Sequence, residues 1–477
     1  EEGNFAQFPQ LKDIELYTDD LKPFWLTVTR DKVAKYGLLE ETGKWAENSQ
    51  KLYYLCNKYN IEALRKNPRI SGYDWWLLQP WYPGSNGLLD VYRRPSSITP
   101  EQVRQFNGPV VLLEDGLKLN YRGSRGLHIQ LSVSNYSSNA LQAARLSWQV
   151  LSGTQVLGKG QRMVDDAAQG AVSKLGEVVA ALPNPPTPEP LQLIVRLEGN
   201  GQTYENQWTT WLYPAVRPNL SQPHPLYVSD DLRPMLAAFH PRLIPAQGNL
   251  PSPAVYVARE PTERLLEAAE EGSCVVLLSP VGVFPTDVTT FKSAWWLGVF
   301  PGDSNAGTMV YDSPVTKAIA PDGWCDAGWF HLLQGAQTVI LDDLPAQPQV
   351  LIRALNVNST PSPFSRAVNF DYQWRNKSLL FETKVGRGSW IVSGLNFDAA
   401  LRHGGPEGAW LLTQLLAHAE TLPLPTAAIP IQTLQSAVES SPFTRGPLIN
   451  GFSRLLRHNG KTLRGITYRE GNGILLR

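Results

Sequence analysis

Cysteine and methionine are scarce in this sequence, with three of each among 477 residues. The cysteines, Cys56, Cys274 and Cys325, are too few and too scattered for a disulfide framework or for a zinc site, whose ligands pair at CxxC spacing. The seven histidines show no HxxxH spacing. We therefore expect no metal and no cofactor, and we interpret the cysteines as small buried residues.

The sequence also has no charge excess, because 43 Lys and Arg balance 43 Asp and Glu. A neutral chain lacks the field that holds nucleic acid or an anionic membrane surface. It also lacks any run of about 18 apolar residues that could cross a bilayer. Nucleic acid and membrane are therefore not the partners that we expect.

Proline, glycine and tryptophan are plentiful instead, with 38 Pro, 38 Gly and 15 Trp. Many turn residues and few charges are typical of a loop-rich chain built largely from sheet. Tryptophan planes fill cores and stack on sugar faces. At about 150 residues per domain, the length predicts two to four domains.

Residues 1–107 mix helix and strand. Apolar residues at helical spacing predict helices over Asp20–Lys35 and Asn48–Lys66, and Ile70–Leu78 should be a strand. An aromatic loop, Pro80–Gly87, follows that strand, an order typical of a (β/α)8 barrel, whose post-strand loops carry function. Because 107 residues cannot supply eight strands, we expect only the last units of a barrel here.

Residues 108–215 show short alternating apolar runs, typical of an all-β sandwich. The clearest runs are Leu127–Val133, Ala144–Val150 and Leu191–Leu197. The segment Asn184–Pro190 is too rich in proline for a central strand and should be an exposed loop.

Beyond a linker at 216–222, residues 223–422 alternate strand-like and helical windows, which predicts a mostly parallel, doubly wound α/β domain. The strands are predicted at Leu226–Val228, Ala254–Val257, Cys274–Leu278, Thr338–Leu341 and Trp390–Val392, and the helices at Thr262–Glu271 and Glu407–Glu420. Residues 423–477 form a tail or begin a further β domain.

The strand end and loop between Gly72 and Gly87 carry side chains suited to a sugar. Aromatic rings match the C–H face of a pyranose, and amides match its hydroxyls. The candidate substrate-binding residues are Trp75, Trp76, Gln79, Trp81, Tyr82 and Asn86. If a barrel strand precedes this unit, Glu1 and Glu2 lie at the same catalytic rim. Alternatively, the aromatic residues belong to a core and the Glu pair to a solvated surface.

Weaker signals lie further along the chain. Cys274 opens a strand, so a structural thiol is favoured over a nucleophile, and the spacing of Cys325, Asp326 and His331 is poor evidence for a dyad. The segment Gly386–Ser389 is interpreted as a hairpin turn rather than a phosphate loop. Asp342-Asp343 follows a predicted strand, where a helix cap or loop acid is the ordinary role.

Five sequence blocks of the first unit occur in the order in which a known family carries them. They are Glu1-Glu2-Gly3-Asn4-Phe5, Phe8-Pro9, Leu21-Lys22-Pro23, Asn60-Ile61-Glu62-Ala63-Leu64-Arg65 and Gly72-Tyr73-Asp74-Trp75-Trp76. Together they resemble the end of the catalytic barrel in glycoside hydrolase family 2, the β-galactosidase and β-glucuronidase clan. The following sandwich, which closes with Trp208-Thr209-Thr210-Trp211-Leu212-Tyr213-Pro214, resembles the immunoglobulin-like domain of such hydrolases. The α/β part resembles an amidotransferase-like or trimerisation-like domain of other β-galactosidases.

The resemblance implies a retaining β-glycosidase that acts on oligo- or polysaccharides. Matching a His-Glu-x-Gly segment on Gly3 assigns the catalytic nucleophile to Glu1. The family's acid is the Glu of an Asn-Glu pair, which does not occur in this sequence. We therefore expect the C-terminal part of such an enzyme, inactive alone.

The alternative is a non-catalytic carbohydrate-binding or oligomerisation scaffold, in which the α/β part assembles a homo-oligomer. Most of the chain after Gly108 lacks a convincing catalytic group, which supports this alternative. A periplasmic or secreted parent would suit polysaccharide degradation.

Overall fold

The structure is a computed structural model that describes residues 2, 3, 5, 7–18, 24–80, 86–215, 226–237, 243–246, 248, 250–292, 305–342, 344–356 and 374–439. Within these ranges, no helix is both long and apolar enough to cross a membrane. The predicted linker at 216–222 and most of the predicted tail lie outside the described residues.

The first unit consists mainly of helices. Its elements are a 3-10 helix at Leu11–Leu16, α1 at Phe24–Lys35, a 3-10 helix at Leu39–Glu41, α2 at Thr42–Lys66 and α3 at Pro100–Phe106. The two predicted helices correspond to α1 and α2, although α2 begins earlier than expected, at Thr42. It ends before Asn67-Pro68 because proline disfavours helical geometry in the residue before it. The predicted strand Ile70–Leu78 is wrong as a continuous element: of its residues, only Trp75 forms a bridge, with Glu2.

Residues 110–213 form two packed sheets. The strands are β1 at Val110–Asp115, β2 at Asn120–Arg122, β3 at Gly126–Asn135, β4 at Arg145–Ser152, β5 at Gln155–Met163, β6 at Ala171–Ala181, β7 at Glu189–Gly199 and β8 at Gln202–Tyr213. One sheet has the order β1-β3-β6 and the other β2-β8-β7-β4-β5. Alternating apolar residues meet between them, for example Ile129 and Leu131 on β3 and Leu193 and Val195 on β7. The predicted loop Asn184–Pro190 is irregular only as far as Pro188, because β7 begins at Glu189.

The third unit is a mixed α/β layer structure. Its strands are β9 at Leu226–Val228, β10 at Leu243–Pro245, β11 at Val255–Ala258, β12 at Cys274–Leu277, β13 at Thr286–Val288, β14 at Asn305–Val310, β15 at Gln337–Ile340, β16 at Gln349–Asn356, β17 at Lys377–Val385 and β18 at Gly388–Ser393. Its helices are α4 at Arg233–Leu236, α5 at Glu263–Glu270, a 3-10 helix at Ala327–Trp329, α6 at Phe330–Leu333, α7 at Phe397–Arg402, α8 at Pro406–Glu420 and α9 at Ile431–Glu439.

Only half of this sheet is parallel, so the prediction of a mostly parallel sheet is wrong. The run β10-β9-β11-β12-β18 is parallel, whereas β17, β15 and β13 continue it antiparallel, and β16 and β14 attach beside β17. Both faces of the parallel half are buried: Val255 and Val257 face one apolar cluster, and Tyr256 and Ala258 face another. Burial on both faces explains why these strands are continuous apolar runs.

Helix α2 joins the first unit to the other two. On the third unit, the amide of Asn48 donates to the carbonyl oxygens of Thr308 at 2.8 Å and Gly323 at 3.0 Å, and Trp45 stacks on Trp374 with ring centroids 5.7 Å apart. On the side of the sandwich, Lys58 and Glu62 of α2 form a buried ion pair at 2.5 Å. Glu62 also accepts a hydrogen bond from the Asn206 side chain on β8. Helix α2 therefore contacts both other units.

Candidate functional site

The start of the chain pairs with the aromatic segment that follows α2. Glu2 and Trp75 form a parallel bridge, in which the amide of Glu2 donates to the Asp74 oxygen at 2.8 Å and the amide of Trp76 donates to the Glu2 oxygen at 2.6 Å. Gly3 lies against the indole with φ +94°, and a Cβ there would come within 2.4 Å of the Trp75 ring. Only glycine allows this approach.

The Glu2 carboxyl group is almost completely buried, at 5% exposure. Its Oε2 accepts a hydrogen bond from the Asn60 side chain on α2, while its Oε1 has no partner among the described residues. Burial raises the pKa of Glu2 to about 7, although the Gly3 amide and the positive charge of Lys292 both act to lower it. A carboxyl group with such a pKa exchanges its proton near neutrality, as a general acid or base must.

Lys292 belongs to the third unit and follows β13. Burial lowers the pKa of its ammonium group, and attraction to Glu2 partly opposes that shift. Nothing in the sequence pointed to Lys292, because 290 positions separate it from Glu2 and no local motif surrounds it. Asn60, in contrast, stood inside one of the five resembling blocks.

Trp75 is held between its own segment and the helices. Its indole N–H donates to Asn57 Oδ1 at 2.9 Å, and its ring meets the edge of Phe106 at 5.6 Å. The amide of Asn57 in turn donates to the Tyr53 carbonyl oxygen at 2.8 Å. These are the contacts of a packing residue, and a sugar-stacking role for Trp75 stays a prediction.

Asn86 lies at the end of the same chain of contacts. The Tyr53 hydroxyl donates to the Asn86 carbonyl oxygen at 3.2 Å, and the Asn86 side chain is fully buried. Neither its Oδ1 nor its Nδ2 has a partner among the described residues. Because an unsatisfied buried amide costs about 1–3 kcal/mol, such a group requires an explanation.

The remaining predicted binding residues differ in their surroundings. Trp76 packs against the apolar cluster that contains Phe8 and Trp45. The Gln79 amide is engaged locally, with Nε2 3.4 Å from the Val91 carbonyl oxygen and Oε1 accepting from Arg93 at 3.2 Å. Three further predicted residues lie outside the described residues, namely Glu1, Trp81 and Tyr82.

The residues noted above as weak catalytic signals make structural contacts. Cys274 is buried at the start of β12, and burial raises the pKa of its thiol to about 12. Cys325 is also buried, with a raised thiol pKa. The Asp326 carboxylate accepts from the Trp211 indole at 2.7 Å, while the imidazole of His331 lies 3.3 Å from Glu407 instead.

Two further predictions concern the turn at Gly386–Ser389 and the pair Asp342-Asp343. Residues Gly386–Arg387 form the tight turn between β17 and β18, as predicted, with φ +56° at Gly386. Asp342 accepts at its Oδ1 from the hydroxyl of Tyr36, the residue that follows α1, at 3.4 Å. Asp343 lies outside the described residues.

Two family models match parts of the chain. Residues 126–214 match a domain of unknown function (DUF8488), and residues 256–439 match another (DUF8487). No curated protein matches the sequence.

Among solved structures, the exo-chitosanase CsxA of Amycolatopsis orientalis is similar with 18% identity over 41% of this chain and a TM-score of 0.27. The chain spans 22% of that enzyme's length. A family 123 glycoside hydrolase of Clostridium perfringens matches 25% of this chain and 30% of its own, with 8% identity and a TM-score of 0.17. A conjugative transposon lipoprotein of Bacteroides eggerthii matches 21% of this chain and 96% of its own, with 11% identity and a TM-score of 0.16. The likeness to glycoside hydrolases is coarse, and TM-scores this low carry no argument about activity.

Proposed function

We propose that this chain supplies the nucleophile side of a retaining β-glycosidase of the β-galactosidase type, which hydrolyses O-glycosidic bonds in oligo- or polysaccharides. The observation that supports it is the parallel pairing of Glu2 with Trp75 across α2. A parallel pair with a helix in the connection is the repeating unit of a (β/α)8 barrel. We therefore propose that residues 1–107 contribute the last barrel units and that an immunoglobulin-like sandwich follows them.

The nucleophile in this proposal is Glu1, on the resemblance described above. A nucleophilic carboxylate must be ionised, whereas the pKa of Glu2 is raised to about 7, leaving it half protonated at neutral pH. Glu2 also points to Asn60 on α2. We therefore assign Glu2 a positioning role.

The proposed reaction is a double displacement. The Glu1 carboxylate attacks the anomeric carbon and forms a glycosyl ester, while a carboxylic acid about 5 to 5.5 Å away protonates the leaving oxygen. Water then attacks the anomeric carbon, gives its proton to the carboxylate that served as acid, and frees the Glu1 carboxylate. We assign that acid to no residue of this chain. Asn86 is the proposed polar contact to a sugar hydroxyl, since its amide is unpaired among the described residues, and Trp76 is the proposed stacking ring.

Covalent trapping tests this proposal without needing the acid. A 2,4-dinitrophenyl 2-deoxy-2-fluoro-β-glycoside has a leaving group that departs unprotonated, and the fluorine slows hydrolysis of the ester. We expect mass spectrometry of digested peptides to find the label on Glu1. The variant Glu1→Gln should lose the label and the matched variant Glu2→Gln should retain it. A label elsewhere, or no label with galactosyl, glucosyl, mannosyl and glucuronyl reagents, contradicts the proposal and favours the scaffold alternative.

A further inference from the structure

A cavity of about 880 Å³ opens where the three units meet, away from Glu2. One wall is the C-terminal end of α2, the second runs along the sandwich from Glu114 to Gly126, and the third is the turn between α7 and α8 with residues of α6. Volumes of 300–1,000 Å³ are typical of small-molecule sites, which occur preferentially at domain junctions.

Two carboxylates at this cavity already have partners within the protein. Glu62 accepts from Asn206 Nδ2 and from the Trp208 indole, both at 2.8 Å. Glu114 pairs with Lys66 at 3.2 Å. These acids therefore contribute little uncompensated negative charge to the cavity.

A third carboxylate orients an imidazole. Glu407, at 1% exposure, lies with its Oε1 3.3 Å from Nδ1 of His331. The His331 ring stacks on the ring of His403, with centroids 4.7 Å apart and planes 18° from parallel. His403 is exposed, and both rings of the pair line the cavity.

Basic side chains on the sandwich wall have fewer hydrogen-bond and ion-pair partners than these carboxylates, among the described residues. Among the described residues, neither the Lys118 ammonium group nor the Arg125 guanidinium group has a hydrogen-bond or ion-pair partner, and both side chains are exposed. Arg122 uses one nitrogen on the Gly404 oxygen at 3.3 Å. Asp115 on the same wall is an exposed carboxylate, so three basic side chains face one acid there and the uncompensated charge of the wall is positive.

Two acceptor atoms at the same cavity lack donors. Asn120 donates its amide to the Gly328 oxygen at 2.8 Å, but its Oδ1 has no partner among the described residues. The same holds for Oε2 of Glu407. Both atoms are inaccessible to solvent, so they are polar groups behind the cavity wall and offer no surface to a ligand.

We propose that this cavity binds an acidic oligosaccharide, whose carboxylate pairs with Arg125 and Lys118 and whose sugar face stacks on His403. Guanidinium groups pair with carboxylates through two parallel hydrogen bonds, which favours a uronic acid over a neutral hexose. The saccharide part rests on the proposed function, whereas the preference for an anion rests on the charges of the cavity alone.

Calorimetric titration of the full chain tests the proposal. The probes are trisaccharides of galacturonic, glucuronic and mannuronic acid, the corresponding neutral trisaccharides, and inorganic phosphate. We expect at least one acidic trisaccharide to bind at least about tenfold more tightly than its neutral counterpart, because hydrogen bonds between ionised partners are stronger than those between neutral groups. Arg125→Gln should weaken that binding by about tenfold or more, and His403→Ala should weaken it as well.

The matched control is Arg145→Gln, since Arg145 pairs with Glu198 on the sandwich outside this cavity. It should leave binding unchanged, and both arginine variants should melt like the parent protein. Absence of binding, equal binding of neutral trisaccharides, an unaffected Arg125→Gln variant, or displacement of the trisaccharide by an equal concentration of phosphate would each overturn the proposal. Binding should survive Glu2→Gln, so failure at the barrel site and failure here are separate results.

Discussion

Asn60 on α2 donates a side-chain hydrogen bond to Oε2 of Glu2, so the helix and the segment at the start of the chain meet at a buried carboxyl group. A carboxyl group in such a place resists ionisation. The protonation of one residue is therefore linked to the stability of the first unit.

The variant Glu2→Gln should change how stability depends on pH. The pKa of Glu2 is raised to about 7 from 4.5, so the folded state binds its proton more tightly than the unfolded state. Its stabilising contribution is complete below about pH 4.5 and is lost as pH rises through 7. We expect the glutamine variant to match the parent at pH 4 and to exceed it by up to about 3 kcal/mol at pH 8, measured by urea unfolding. The exposed control Glu40→Gln should keep the parental slope, and a parental slope in Glu2→Gln would contradict this assignment.

Asn86 and Asn57 form a matched pair, because both are fully buried amides. Asn57 uses Nδ2 and Oδ1, whereas neither group of Asn86 has a partner among the described residues. Asn57→Leu should destabilise the protein by about 2–3 kcal/mol, while Asn86→Leu should be neutral or stabilising by about 1 kcal/mol. Chemical denaturation measures both. Equal destabilisation by the two variants would show that Asn86 has a structural partner.

The buried ion pair of α2 should be sensitive to the loss of one partner. Lys58 Nζ lies 2.5 Å from Glu62 Oε1, and both side chains are almost inaccessible. Glu62→Leu leaves an unpaired ammonium group and should cost about 3–5 kcal/mol. The double variant Lys58→Met, Glu62→Leu should recover the part of that loss caused by the unpaired charge but not the part caused by the unsatisfied donors of Asn206 and Trp208, as measured by thermal unfolding. No recovery would indicate that the wider network, which includes Asn206 and Trp208, requires the pair itself.

Gly307 on β14 allows α2 to approach the third unit. Its φ is +111°, and a Cβ there would lie 3.2 Å from the backbone of Ser49. Gly307→Ala should therefore destabilise the protein by about 1–3 kcal/mol. The control Gly43→Ala lies on α2 with no atom within 4 Å of the added carbon, and should be neutral or stabilising by up to about 1 kcal/mol. A stable Gly307→Ala variant would mean that α2 shifts without cost.

Local patterns predicted the elements whose sequence periodicity reflects their own burial. The alternation of Leu127–Val133 predicted β3, and the glycines of Gly386–Ser389 predicted the hairpin, because each depends on neighbouring residues only. The antiparallel half of the third sheet could not be predicted in the same way. Its strands β13 and β14 pair with β15 and β16, and pairing between distant segments leaves no local signal.

The residues of the candidate sites also divide into those marked by a local motif and those placed by distant contacts. Gly3 and Trp75 were found because a motif surrounds each of them, and the structure brings them together. Lys292, Glu407 and His403 were missed because each is placed by packing between units. Asn86 was named from the sequence as a polar contact, but its burial could not be predicted, since burial is a property of the folded chain.

The contacts of Asn48 have a consequence for synthesis. Its amide binds the Thr308 oxygen, 260 positions later in the chain. Ribosomes add about 5–20 residues per second, so this face of α2 has no partner for roughly 13 to 50 s after it is made. Synonymous codons that slow translation between the two segments would lengthen this interval and are expected to lower the yield of soluble protein.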